Sequence, residues 1–370
     1  MKVILQEEKK YWSLGWLWAV FLLAVPGCLQ AQLTSKINGF FPKDWEGKQA
    51  MVVAKPIHGS PIIDTTTIMN RSATFTVRLG EPSPAYLWIE GNQDDIHFFI
   101  DSPTINIGIE PGAFAKPLIT GSASSELWVD QLDFLMQIRE SRPDLHSETF
   151  SALQAGDSLV AFKLEQTADS LRKVDDDQLI SLIQNHPLLP CSWYLFASNS
   201  FSYSQTSRLF DSLSAFATYP SYRELNEKLD RKKLGNKAPD FSLPSPSGSV
   251  ITLSKLERTY ILVDFSSQYI LPCQKRHYDL KKLYATYHPL GLEIVTVAFD
   301  IDKNAGIIPT TPDRLPWLQV LDSISQSSVM EAFAIDQMPD NLLLDANKIM
   351  IGRDMSVPEL DEKLQQLLKK

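Results

Sequence analysis

Two periods of hydrophobic spacing divide the chain. From Leu33 to about Ile119 apolar and polar residues alternate. Ala73–Leu79 sets Phe75, Val77 and Leu79 on one face, and Thr104–Ile109 does the same with Ile105, Ile107 and Ile109. Met51–Ala54, Ala85–Ile89 and Ile96–Ile100 are further apolar runs. Turn-forming stretches separate them: His58-Gly59-Ser60, Asn70-Arg71-Ser72, Gly91-Asn92 and Asp101-Ser102-Pro103. Short alternating segments with turn residues between them predict an antiparallel β-sandwich or barrel. Tyr86, Trp88, Phe98 and Phe99 read as core rather than as a ligand platform.

From Ser122 to Lys233 the spacing becomes helical. Ser124 or Ser125 stands where it would cap a helix carrying Leu127, Leu132, Leu135 and Ile138. A long amphipathic helix is expected over 147–173. Another is expected after Asp175-Asp176-Asp177, whose carboxylates suit a helix N-terminus. Pro187 and Pro190 interrupt the helical pattern, which resumes through Trp193–Phe196, Ser207–Phe216 and Tyr222–Leu234. The run Asp230-Arg231-Lys232-Lys233 reads as a solvated helix end.

The remainder alternates strand and helix. Strands are expected at 260–265, 292–299 and 341–345, the last with a hairpin partner at 348–351. Helices are expected at 275–287, 329–333 and 357–368. Parallel βαβ followed by a hairpin and a helix gives an α/β sandwich. The chain is therefore read as a multidomain α/β protein. Its parts are a leader at 1–31, a β domain at 32–120, a helical segment at 121–234 and a C-terminal α/β domain at 235–370.

The leader changes the picture of location. Lys2, Lys9 and Lys10 precede an apolar run, Trp12–Val25, that is the length of a signal-peptide core and short for a membrane span. Pro26 and Gly27 end it, and Ala31 offers a cleavage site. Export to the periplasm or to an outer-membrane-associated position is expected. Cys28, behind a small residue, is a candidate lipidation site; otherwise it lies in a discarded peptide. A lipid there would be the protein's link to a membrane.

Composition narrows the partners. The 370 residues are 44% hydrophobic and 21% charged, with a net charge of −9. With no Lys/Arg-rich run, nucleic acid is excluded as an expected partner. The three cysteines, Cys28, Cys191 and Cys273, form no Cys-x-x-Cys, and the six histidines show no metal-ligand spacing. No metal or other cofactor is called for. A Cys191–Cys273 disulfide stays open, since spacing alone does not show proximity.

The candidate chemistry lies in the last third. Gly235-Asn-Lys-Ala238-Pro239-Asp-Phe241-Ser-Leu243 resembles the opening GxxAPxFxL strand of peroxiredoxins (AhpC/TSA type) and of TlpA-type thiol–disulfide oxidoreductases. Ser247-Gly248, Leu253-Ser254, Val263-Asp264-Phe265 and Gly291–Asp300 continue that resemblance in order. So do Met338-Pro339, at a cis-proline position, and Asp345–Ile349, with Asn347 in place of a turn glycine. The whole order of leader, small β domain of unknown function, helical segment and thioredoxin domain is similar to that of many Gram-negative envelope proteins.

The resemblance implies a thioredoxin fold and a redox motif at Ile270-Leu271-Pro272-Cys273. There Ile270 occupies the attacking position, Cys273 the resolving one, and Ser266 and Tyr269 replace tryptophans. Thioredoxin chemistry needs two cysteines at a helix N-terminus, one to attack and one to resolve. Ile270 removes the first, and with it the peroxidatic position. Cys273 is then either a half-buried remnant or a lone nucleophile. Ile270, Pro272, Met338 and Pro339 would frame a groove for an extended peptide. The resulting expectation is a redox-inactive binding or scaffold protein of the envelope, acting on a protein or peptide partner. The alternative is a thiol–disulfide oxidoreductase working through Cys273.

Overall fold

The computed structural model describes residues 33–92, 94–110, 117–267, 270–301, 315–323 and 327–368. The leader reading, with Cys28, and the Tyr269 reading lie outside the described residues. From Gln32 to Lys370 the chain forms one compact unit.

The alternating region builds a sandwich. One sheet has the order β4 (Ser72–Leu79), β1 (Leu33–Phe40), β7 (Thr104–Gly108), β8 (Leu118–Thr120). The other has the order β3 (Ile62–Thr67), β2 (Gln49–Ala54), β5 (Ser83–Ile89), β6 (Ile96–Ile100). Ile37, Phe75, Val77, Ile105 and Ile107 from the first sheet meet Val52, Leu87, Ile89, Phe98 and Ile100 from the second in one buried cluster. Pairing is antiparallel except between β1 and β7, which run parallel. A parallel pair needs a crossover, and the intervening strands of the other sheet supply it. Alternation turns Phe99 out of this sandwich, where it packs edge-on against Trp128 and Tyr194 of the helical segment. Tyr86 and Trp88 are half-buried.

The helices are α1 (Ser125–Ser141), α2 (Leu145–Gln154), α3 (Ser158–Asn185), α4 (Pro190–Ser198), α5 (Tyr203–Ser212) and α6 (Pro220–Lys232). Three expectations need correction. The hydroxyl that accepts from the first turn of α1 belongs to Ser122, at 3.1 Å from the Ser125 amide. Ser124 Oγ instead accepts from Cys191 N–H, and Ser125 Oγ from Phe99 N–H. Leu135 is exposed, because Trp128, one turn from the start of α1, makes the contact with β6.

The second correction concerns the long helix, which breaks at Gly156 and runs unbroken through Asp175-Asp176-Asp177. Gly156 takes a left-handed φ of 77°, and the Asp157 carboxylate caps the new helix by accepting from Val160 N–H. Mid-helix, Asp175 is held by both Nη atoms of Arg142 at 2.6 and 2.8 Å. The third concerns Lys232, expected in solvent. Its side chain pairs with Asp336.

The C-terminal part begins with a small hairpin, β9 (Ser242–Pro244) and β10 (Val250–Thr252). It continues with β11 (Tyr260–Ser266), α7 (Leu271–Tyr287), β12 (Leu292–Ile301), β13 (Leu318–Ser323), α8 (Ser328–Ala332), β14 (Asp340–Asp345), β15 (Met350–Arg353) and α9 (Val357–Leu368). The sheet order is β13-β12-β11-β14-β15, with β11 parallel to β12 and antiparallel to β14. Helices α7 and α9 cover one face, around Leu262, Leu280, Ile294 and Leu360. Val263, Phe265, Val297 and Phe333 fill the other. Burial on both faces explains why β11 and β12 read as near-continuous apolar runs. In the β14–β15 turn the left-handed residue is Lys348 (φ 67°), and Asn347 is not in that conformation. Asp345 Oδ1 accepts from Asn347 and Ile349 N–H at 2.9 Å each, which shapes the turn around it.

Candidate functional site

The site forms where β11 ends and α7 begins. Ile270 is the N-cap of α7, with no side-chain capping bond, and Pro272 lies in the first turn, where a missing N–H costs nothing. Cys273 N–H donates to Ile270 O at 3.0 Å, so the thiol is carried on the third helical residue. Strand pairing then places the proline loop. Asp340 sits opposite Phe265, which sets Pro339 level with the end of β11. The Met338–Pro339 bond is cis. Ile270, Pro272, Met338 and Pro339 are all half-buried, and Met338 rests on the Phe265–Phe333 cluster.

Cys273 is fully buried and free, as is Cys191. The two cysteines belong to separate elements, α7 and α4, and are not bridged. Burial pushes the Cys273 thiol above its ordinary value; Ser267 and Ser266 beside it only partly offset that, and the Asp264 charge adds to it. Burial likewise pushes Cys191 up to about 11.

Beneath Cys273 lies a polar network that sequence reasoning missed. Asp264, on β11, is fully buried. Its Oδ1 accepts from Arg276 Nε at 3.1 Å, and its Oδ2 accepts from His277 Nε2 at 2.9 Å and from Thr296 Oγ1 at 3.1 Å. Trp317 Nε1 in turn donates to Thr296 Oγ1, and Arg276 Nη1 to Met355 O. Burial by itself would raise the Asp264 pKa, but the hydrogen bond from His277 and the charge of Arg276 outweigh it and hold the carboxyl below its usual range. The available signal was a lone Asp in an apolar strand, followed by adjacent Arg and His on the next helix. Among the described residues no cluster of three or more His, Cys, Asp or Glu is placed to hold a metal.

A βαβ unit, a cis-proline before an antiparallel hairpin, and a cysteine in the first turn of the covering helix define a thioredoxin-like domain. Comparison with known proteins makes this specific. Residues 234–351 match the AhpC/TSA family, and residues 35–128 match a domain of unknown function (DUF4369). The C-terminal domain is thus a thioredoxin-like domain of the AhpC/TSA family, and its homologues are thiol–disulfide oxidoreductases.

Among curated relatives, the thiol–disulfide oxidoreductase ResA of Bacillus cereus (strain ATCC 10987 / NRS 248) is 22% identical over 155 residues, 42% of this chain and 86% of ResA. The ResA of Halalkalibacterium halodurans is 27% identical over 114 residues, 30% of this chain and 62% of its own. A solved thiol–disulfide oxidoreductase from Bacteroides fragilis NCTC 9343 is 30% identical, covering 36% of this chain and 100% of that one with a TM-score of 0.32. A thiol:disulfide interchange protein from Bacteroides sp. is 22% identical, covering 38% and 93%, with a TM-score of 0.34.

Proposed function

We propose that this is an exported thioredoxin-fold protein of the cell envelope that binds or scaffolds a protein or peptide partner and runs no two-cysteine redox cycle. The observation that carries the reading is Ile270 at the N-cap of α7. That is the place where the positive end of a helix would favour an exposed attacking thiolate. An isoleucine side chain neither ionises nor bonds to sulfur. The burial of Cys273 supports the reading, because a thiol that stays protonated and covered is a weak nucleophile. Asp264 supports it as well. A carboxylate tied to Arg276 and His277 is a poor base for a neighbouring thiol.

The partner would lie against Ile270, Pro272, Met338 and Pro339. Envelope residence rests on the apolar run Trp12–Val25 and the small residues after it, with Cys28 as the candidate lipid anchor. The acidic balance of the chain argues against nucleic acid.

Insulin-disulfide reduction by the protein from Gln32 onward, beside Cys273→Ser and Ile270→Cys variants, tests the reading. The expected result is no activity in the wild type and a gain in Ile270→Cys. Clear wild-type activity that disappears in Cys273→Ser would replace this reading with single-thiol oxidoreductase chemistry at Cys273.

A further inference from the structure

The helical segment is joined to its two neighbours by different kinds of contact. Toward the β domain the joint is apolar: Phe99 and Ile57 belong to the same cluster as Trp128, Ile183, Trp193 and Phe196. Toward the thioredoxin domain, none of the buried apolar clusters formed by the described residues contains members from both sides.

Polar tethers hold that second seam instead. Lys228 and Lys232 of α6 clamp Asp336 at 2.9 and 2.8 Å, two residues before the cis Met338–Pro339 bond. Lys275 of α7 pairs with Asp169 of α3 at 3.2 Å. The backbone N–H of Tyr203, opening α5, donates to Asp354 Oδ2 at 2.8 Å. Between the tethers lies a cavity of about 240 Å³, bordered by Phe201, Tyr203, Lys228, Lys232, Asp336 and Asp354. The covalent link is short. Helix α6 ends at Lys232, and Gly235 N–H already bonds to Met350 O of β15. Only Lys233 and the half-exposed Leu234 lie between, flanked by the side-chain bond from Asn236 Nδ2 to Asp230 O.

The geometry points to a releasable seam: the thioredoxin domain undocks from the helical segment about Lys233–Leu234 as a body, before either side unfolds, and undocking frees Asp336, two residues before the cis Met338–Pro339 bond, from its lysine clamp. The physical ground is that exposed ion pairs each contribute little and weaken with salt, whereas the apolar joint to the β domain does not. Polar interfaces between domains of one chain are the ones that open. The inference is independent of whether Cys273 reacts.

The Tyr203 amide is a direct reporter, since its acceptor lies across the seam. Hydrogen exchange of the protein from Gln32 onward is followed at Tyr203 and at Val263 and Val297 in the central strands. Raising salt to ~1 M, where the screening length falls to about 3 Å, is expected to speed Tyr203 exchange about tenfold and leave the strand amides unchanged. Asp336→Lys is expected to reproduce this at low salt. Adding Lys228→Asp and Lys232→Asp to that variant is expected to restore protection. Tyr203 exchanging at the rate of the strand amides under every condition would overturn the inference, as would a charge swap that restores nothing. A variant that merely destabilises the fold is recognised by accelerated exchange at Val263 and Val297.

Discussion

Asp264 is a buried carboxylate and Asp354 a half-buried one, and their partners set opposite behaviour. Asp264 has Arg276, His277 and Thr296 around it. Its carboxyl is held below the usual range, so the stability it contributes is present above about pH 4 and is lost as pH falls through its lowered value. Asp264→Asn strands Arg276 in the interior. It is expected to destabilise the protein by about 3–5 kcal/mol in urea unfolding at neutral pH, and a change below about 1 kcal/mol would show that the network is not a coupled unit. Asp354 has one backbone donor, Tyr203, while Arg276 and Arg353 act on it from farther off. Burial raises its pKa, and the charge of Asp340 adds to that. Docking is therefore favoured by protonation of Asp354 and weakens as pH rises through the raised value. Asparagine at 354 keeps an acceptor for Tyr203 N–H and removes the half-buried charge. Asp354→Asn is expected to slow Tyr203 exchange at neutral pH; faster exchange would mean that the charge itself holds the seam.

Gly156 and Asp157 decide where one helix stops and the next begins. Asp157→Ala removes the cap of α3 and is expected to cost about 1 kcal/mol, read as a lower urea midpoint with unchanged slope. At the exit of the β domain, Gly121 has φ 90°, and an added Cβ would lie 2.3 Å from Thr104 O. Ser102 Oγ also donates to Gly121 O, so the backbone there has little room to shift. Gly121→Ala is expected to lower stability by roughly 2 kcal/mol or more, measured by thermal melting.

These elements also show what could be read from sequence. Phe75, Val77, Leu79 and the Ile105–Ile109 series announced their strands because one face of each is buried and the other wet. The central strands and the proline loop were readable through their order along the chain. The helix boundaries were not, because Asp175-Asp176-Asp177 is as good a cap signal as Asp157, and only the Arg142 fork shows which is used. The edge strand β13 and the parallel β1–β7 pairing have no local signature. At the site, Ile270, Cys273 and Pro339 were legible as positions. The Asp264 network was not, since Arg276 and His277 meet it only after α7 packs on β11.

At the scale of the molecule, the apolar clusters fall into two groups within one compact unit. The β domain and helical segment share one joint; the thioredoxin domain keeps both of its clusters to itself. Calorimetry at ~1 M salt, where surface pairs are screened, is therefore expected to resolve two transitions. Val297→Ala in β12 should lower one of them and leave the other in place. A single transition that moves as a whole would mean that the two groups remain coupled without their ion pairs.

Phe99 carries this partition into heredity. Its ring faces away from the sandwich and is covered by α1 and α4, so a β domain severed at Thr120 would present a bare aromatic patch to water. Gene shuffling that trades thioredoxin-type modules can cut after Lys233 without exposing a core, but a crossover between strands and helices would strand Phe99. The smallest front fragment that keeps Phe99 covered is thus larger than the β-sandwich, since it has to carry α1 and α4 as well.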